Sequence, residues 1–119
     1  MMETTDTTNK FAGDLPDGPN IFKIVNIEKF YSPAEFWVFH LKWSGGDGKQ
    51  TFFANMLGPL LRTLGCEEKS PNVFEWDSDL QFNKSFKAVV GHAPDKKDPN
   101  KIRQHMSQFE KVDDNEIPF

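Results

Sequence analysis

Apolar and polar positions alternate most cleanly between Phe36 and Trp43. Trp37, Phe39, Leu41 and Trp43 fall on one face, and Phe36, Val38, His40 and Lys42 on the other. A period of two is that of a strand with one face on a core. The first set is the core candidate, while the second mixes an aromatic ring, an imidazole and an ammonium, which suits a wet face. Ser44-Gly45-Gly46-Asp47-Gly48 then reads as a hairpin turn, and Lys49 to Ala54 as the returning strand. Upstream, Leu15-Pro16-Asp17-Gly18-Pro19 is dense turn chemistry that launches a strand over Asn20 to Tyr31. There the alternation breaks, with Ile21, Val25 and Ile27 on one phase and Phe22, Ile24 and Phe30 on the other. A long strand with a bulge or bend produces such a break.

After the hairpin the period changes. Leu57, Leu60, Leu61 and Leu64 recur at helical spacing within Met56 to Leu64, with Pro59 suited to a first turn and Gly65 to a C-terminal stop. The acidic stretch Glu67 to Asp79 reads as irregular, anchored by Phe74 and Trp76 beside a short helical turn. Phe82 to His92 returns to strand, Ala93 to Asn100 is a charged loop, and Lys101 to Lys111 is the last strand. The order is three strands, one helix, two strands. In a chain of 119 residues it predicts a mainly β fold, a five-stranded barrel of the oligonucleotide-binding (OB) type with one helix between strands 3 and 4. A five-stranded sheet with a lone packing helix is the alternative.

Composition divides the chain. Residues 1–14 are polar and predict a flexible N-terminus, 15–111 hold the domain, and 112–119 form an acidic tail. The formal charge is −4, yet residues 1–20 and 112–119 each carry −3, which leaves +2 on the body. Residues 80–111 alone carry seven Lys or Arg against three acids. Local sign governs a phosphate-binding groove more than net charge does. The single Cys66 excludes an internal disulfide and fits a reducing cytoplasm. No apolar run has the length to cross a bilayer, and nothing near Met1 reads as a signal peptide.

Twelve Phe, three Trp and one Tyr exceed what a small barrel needs inside, so some rings belong to the surface. Single strands are held by stacking bases on aromatic faces and tracking phosphates with cations. Three places combine the two. One is Phe36, His40 and Lys42, with Phe30 and Tyr31 upstream; another is Lys49 with Phe52 or Phe53 on the returning strand. The third is the cationic run Lys84, Lys87, Lys96, Lys97, Lys101, Arg103 and His105. For any one Phe, core packing outweighs stacking by roughly two to one, and a single Lys is more often a solvated charge. Tyr31 tolerates a wet face, and Arg103 both stacks and forks onto phosphate. An enzyme is poorly supported. His40, His92, His105 and Cys66 lack metal-ligand spacing, and no phosphate loop or nucleophile elbow is present. The expectation is a non-catalytic protein without cofactor or metal.

The tail is Val112-Asp113-Asp114-Asn115-Glu116-Ile117-Pro118-Phe119. Its charges repel and keep it solvated, which argues against folding onto its own domain, while Pro118 stiffens the apolar tip. It offers an aromatic hook and clustered acid to a basic, apolar pocket on another protein. Asp113 to Phe119 closely resembles the acidic Ile-Pro-Phe terminus of bacterial single-stranded DNA-binding proteins, apart from Asn115 within the acid run. The body resembles instead the single-stranded DNA-binding proteins of lactococcal phages. The likeness lies in Leu15-Pro16-Asp17-Gly18, the leucine helix ending Leu64-Gly65, and the run from Asn83 to His92. These resemblances imply DNA binding with little sequence preference in a host cytoplasm. They also imply docking of replication or recombination proteins by Asp113, Asp114, Glu116, Ile117, Pro118 and Phe119, with a homo-oligomer as a further expectation. The rival expectation is a protein–protein adaptor whose acidic tail mimics nucleic acid.

Overall fold

The computed structural model describes Met2, residues 15–31 and residues 34–118. The expected flexible segment 1–14, Met2 apart, and the terminal Phe119 lie outside the described residues. The chain runs β1 (Gly18–Phe30), β2 (Phe36–Trp43), β3 (Gly46–Phe53), α1 (Ala54–Thr63), β4 (Glu67–Ser70), β5 (Val73–Glu75), β6 (Ser85–Pro94) and β7 (Ile102–Lys111). Short 3-10 turns cover Ser78–Gln81 and Asp114–Glu116.

β1 is the spine. Its first half pairs antiparallel with β6 and its second half with β2, and the β2 register slips between Ile24 and Asn26. The slip is a bulge at Val25, which is exposed. It lets Phe22 and Ile24 point inward before it and Ile27 after it, the two phases read in the sequence. The five-stranded antiparallel sheet has the order β3-β2-β1-β6-β7. Phe22, Phe39, Phe52 and Phe86 are fully buried beneath it, with Phe39 and Phe52 edge to face at 5.2 Å. α1 closes the core with Leu57, Leu60 and Leu61.

The sheet does not close into the expected barrel, because β3 and β7 share no backbone ladder. Glutamine side chains bridge the seam between these edges instead. Gln104 Nε2 donates to Lys49 O at 2.7 Å and to Gln50 Oε1 at 2.6 Å. Gln50 Nε2 donates to Thr51 O at 2.9 Å and to Gln104 O at 3.4 Å. On the far side Gln104 Oε1 accepts from Leu15 N at 3.2 Å and meets the His92 ring at 3.2 Å. Gln50 is 3% exposed, and a buried amide persists only when its hydrogen bonds are made.

A second bulge lies in β7, where the register slips between Lys87 and Val89 and Gln108 takes φ of 55°. The extra residue turns Gln108 outward and swings Phe109 against Phe52 at 6.1 Å and Phe86 at 5.9 Å. In the β2–β3 turn, a Cβ on Gly45 would fall 2.2 Å from the Trp43 ring, so only glycine fits beneath that indole.

Two local expectations need correction. The helix starts at Ala54, directly after β3, so Pro59 lies inside it rather than in the first turn. The helix gives up one amide there, and its leucine face holds it in place. Its end is as expected: Gly65 takes φ of 82°, Cys66 N bonds Leu61 O at 2.9 Å and Gly65 N bonds Arg62 O at 3.1 Å, a Schellman closure. The stretch read as irregular contains the β4–β5 hairpin, turned by Pro71 and by Asn72 at φ of 64°. Both strands are almost wholly exposed, so no core side imposes the alternation by which a strand is recognised.

Glu116 N bonds Asp113 O at 2.9 Å. Ile117 is half-buried, lining a cleft with Leu64, Lys84, Lys111 and Val112.

Candidate nucleic-acid interface

The bulge at Val25 restores the phase of β1 so that its outward residues meet those of β2 and β3 in rows. Phe30 lies opposite Phe36 and Phe36 opposite Phe53. Phe30 and Phe36 are stacked at 4.9 Å and 12°, and Phe36 meets Phe53 at 5.8 Å and 51°. The next row is Glu28, Val38 and Thr51, and the one after it Asn26, His40 and Lys49. Beyond these, Lys42 lies opposite Lys23 and Asp47. One face of three strands therefore grades from an aromatic end to a cationic end over rows about 7 Å apart.

The rings are partly exposed, Phe30 by 40% and Phe53 by 38%, so each offers π surface to solvent. At the cationic end His40, Val25, Asp47, Gly48 and Lys49 line a shallow groove of about 340 Å³. Two acids interrupt the face. Glu28 is bonded by the His40 ring, and Asp47 sits opposite Lys42.

The sequence-derived residues distribute unevenly. Phe36, His40, Lys42, Lys49 and Phe53 come together on this face, joined by Phe30. Phe52, the other ring considered on β3, is buried in the core. Tyr31 is 70% exposed but sits apart from the aromatic row. Lys29 Nζ lies 4.9 Å from its ring and 5.2 Å from that of Trp37, on the opposite side of the strand end. Glu28 is the member that sequence reasoning missed. Its place two residues before Phe30 was the available signal.

The cationic run is split. Lys84 Nζ donates to Leu64 O at 3.2 Å and Gln81 Oε1 at 2.9 Å, which commits it to the helix end. Lys87 lies opposite Ile21 and pairs with Glu110 at 3.9 Å, away from the aromatic row. Lys96, Lys97 and Lys101 are exposed in the β6–β7 loop. Arg103 Nε bonds Asp95 at 2.9 Å while its side chain stays 57% exposed. The Lys97 amide and then the Arg103 guanidinium hold the Asp95 carboxyl below its usual range, so the loop is organised around that carboxylate. Because Gln104 bonds Lys49 O across the seam, the start of β7 and this loop adjoin the cationic end of the face.

Little else invites chemistry. Burial pushes the half-buried Cys66 thiol up, against a smaller opposing effect of Lys84, which leaves it a poor nucleophile. Among the described residues no three His, Cys, Asp or Glu are grouped to hold a metal. No helix among them is long and apolar enough to cross a membrane. A scan against protein-family models finds no match for the chain, and a search of curated protein sequences finds none either.

Proposed function

We propose that this protein is a non-catalytic single-stranded DNA-binding protein of the phage type. The observation that carries the reading is the row Phe30–Phe36–Phe53, ring against ring across three strands on the face away from the core and continuous with His40, Lys42 and Lys49. Bases would stack on the rings and phosphates would follow the lysines towards the β6–β7 loop, with no base edge read, so sequence preference would be slight. The strand order, with the helix entering after the third strand, supports an OB-type fold whose closing contact is made by glutamine side chains, and such folds bind on this face. The Ile-Pro-Phe tail would recruit replication or recombination proteins of phage or host in the host cytoplasm.

The test is titration of labelled oligo-dT and of a duplex of equal length, at several salt concentrations. Single strands should bind far tighter, with a log–log salt slope of about −0.7 per phosphate neutralised. Equal affinity for duplex, or no salt dependence, refutes the reading. No binding at all would favour the adaptor with a nucleic-acid-mimicking tail.

A further inference from the structure

On the opposite side of β2 a different surface is built. Alternation sends Trp37 away from Phe36, and its ring meets Trp76 at 6.1 Å. Trp76 in turn stacks on the core ring Phe39 at 6.5 Å and 22°. Together with Phe74, Leu57, Gly58 and Pro59 these indoles line a groove of about 500 Å³ between α1 and the β4–β5 hairpin. The helix presents no side chain to the groove at Gly58, where an added Cβ would lie 3.6 Å from Phe74 and 3.7 Å from Arg62 Nη1. The hairpin stands outside the main sheet and is clasped to the helix by polar contacts. Arg62 bonds both Glu68 oxygens at 3.0 and 2.8 Å and Asn72 Oδ1 at 2.9 Å.

Charge decides what such a groove accepts. Residues 67–79 carry five acids against Lys69 alone, and Lys69 is already bridged to Glu67 and Glu75. The two neighbouring cations are answered as well, Arg62 by Glu68 and Lys29 by Glu35. Glu75, Asp77 and Asp79 are exposed next to Trp76 in the chain, and this surplus of acid around the hairpin repels phosphate. We infer that this groove docks a cationic segment of another protein, an apolar side chain entering between Trp37, Phe74 and Trp76 while Lys or Arg meets the surplus acids of the neighbouring segment 67–79. A second copy of this acidic chain is disfavoured by the same charges. Because groove and nucleic-acid face lie on opposite sides of β2, both can be occupied at once, and the inference does not depend on the proposed DNA binding.

The experiment titrates the full-length protein with a short synthetic peptide of alternating Leu and Lys, following tryptophan emission. A saturable change is expected, with none from a Leu/Glu peptide of the same length. Glu75→Lys with Asp77→Lys, both on the surface, should weaken binding at least about tenfold. Gly58→Leu should fill the groove and remove binding while the thermal melt stays cooperative. No saturable response, an equal response to the Leu/Glu peptide, or full affinity in both variants overturns the inference. Displacement of the peptide by oligo-dT would assign the groove to nucleic acid. Self-association lost in Gly58→Leu would assign it to a second copy. Either result also overturns the inference. Unchanged oligo-dT binding by the variants would keep the two proposals separate.

Discussion

Phe36→Ala removes the central ring of the aromatic row, and its two consequences can be measured apart. The ring meets Phe30 at 4.9 Å and Phe53 at 5.8 Å. An aromatic pair contributes about 0.5–1.5 kcal/mol beyond its buried area, so losing both costs about 1–3 kcal/mol of folding stability. That is a large share of the ~5–15 kcal/mol typical of a domain, but it leaves the chain folded. If a base stacks on Phe36, the same substitution removes a further ~1–3 kcal/mol of binding, or about 5- to 150-fold in Kd. Phe36→Leu separates the two effects, because Leu keeps apolar contact with its neighbours and lacks a π face. It should recover much of the melting temperature and stay weak towards DNA. The assay pairs thermal denaturation with fluorescence anisotropy of labelled oligo-dT. A folded Phe36→Leu protein that binds within about twofold of the parent, well short of one lost stack, would show that the row packs only on itself and refute the stacking argument.

Other outcomes follow from the geometry and, for the tail, from the sequence. Gln104→Ala strips the buried Gln50 amide and Lys49 O of partners at 2.6 and 2.7 Å. It should cost about 1–3 kcal/mol for each group left unsatisfied, read in a urea melt. The Arg62 guanidinium, and next the Asn72 amide, hold the Glu68 carboxyl at about 2 against an ordinary 4.5. A depressed pKa stabilises the clasp above pH 4.5 and releases it as pH falls towards 2. The protection factor of the Asn72 amide, its exchange rate taken against the intrinsic rate at each pH, should therefore fall as pH drops through that window in the parent, whereas in Glu68→Gln it should be low and nearly independent of pH. Deleting Val112 to Phe119 removes three acids, so oligo-dT affinity should hold or rise slightly at low salt. Phe119→Ala should lose protein partners in a pull-down from infected cells while binding DNA normally; identical partners in both would reduce the hook to a frayed end.

What the chain determines by itself is what alternation and turn chemistry can encode. Trp37, Phe39, Leu41 and Trp43 announced an inward face for β2, and Phe39 and Leu41 are fully buried there. The four leucines and Gly65 marked the helix face and its stop, and the broken phase near Val25 marked the bulge. Local periodicity sufficed in each case because one side of the element meets the core. Where no core is met the signal vanishes, and the exposed β4–β5 hairpin went unread. Tertiary structure decided the rest. Pairing across three strands put Phe30, Phe36 and Phe53 in one row and sent Tyr31 elsewhere, since register joins residues far apart in sequence. Folding gave Lys87 and Arg103 acidic neighbours, Glu110 and Asp95, that local periodicity does not reveal. The bulge at Gln108, which turns Phe109 inward, and the Gln50–Gln104 contacts, which bridge the seam between β3 and β7, both depend on contacts between distant strands. No single-strand period can encode them.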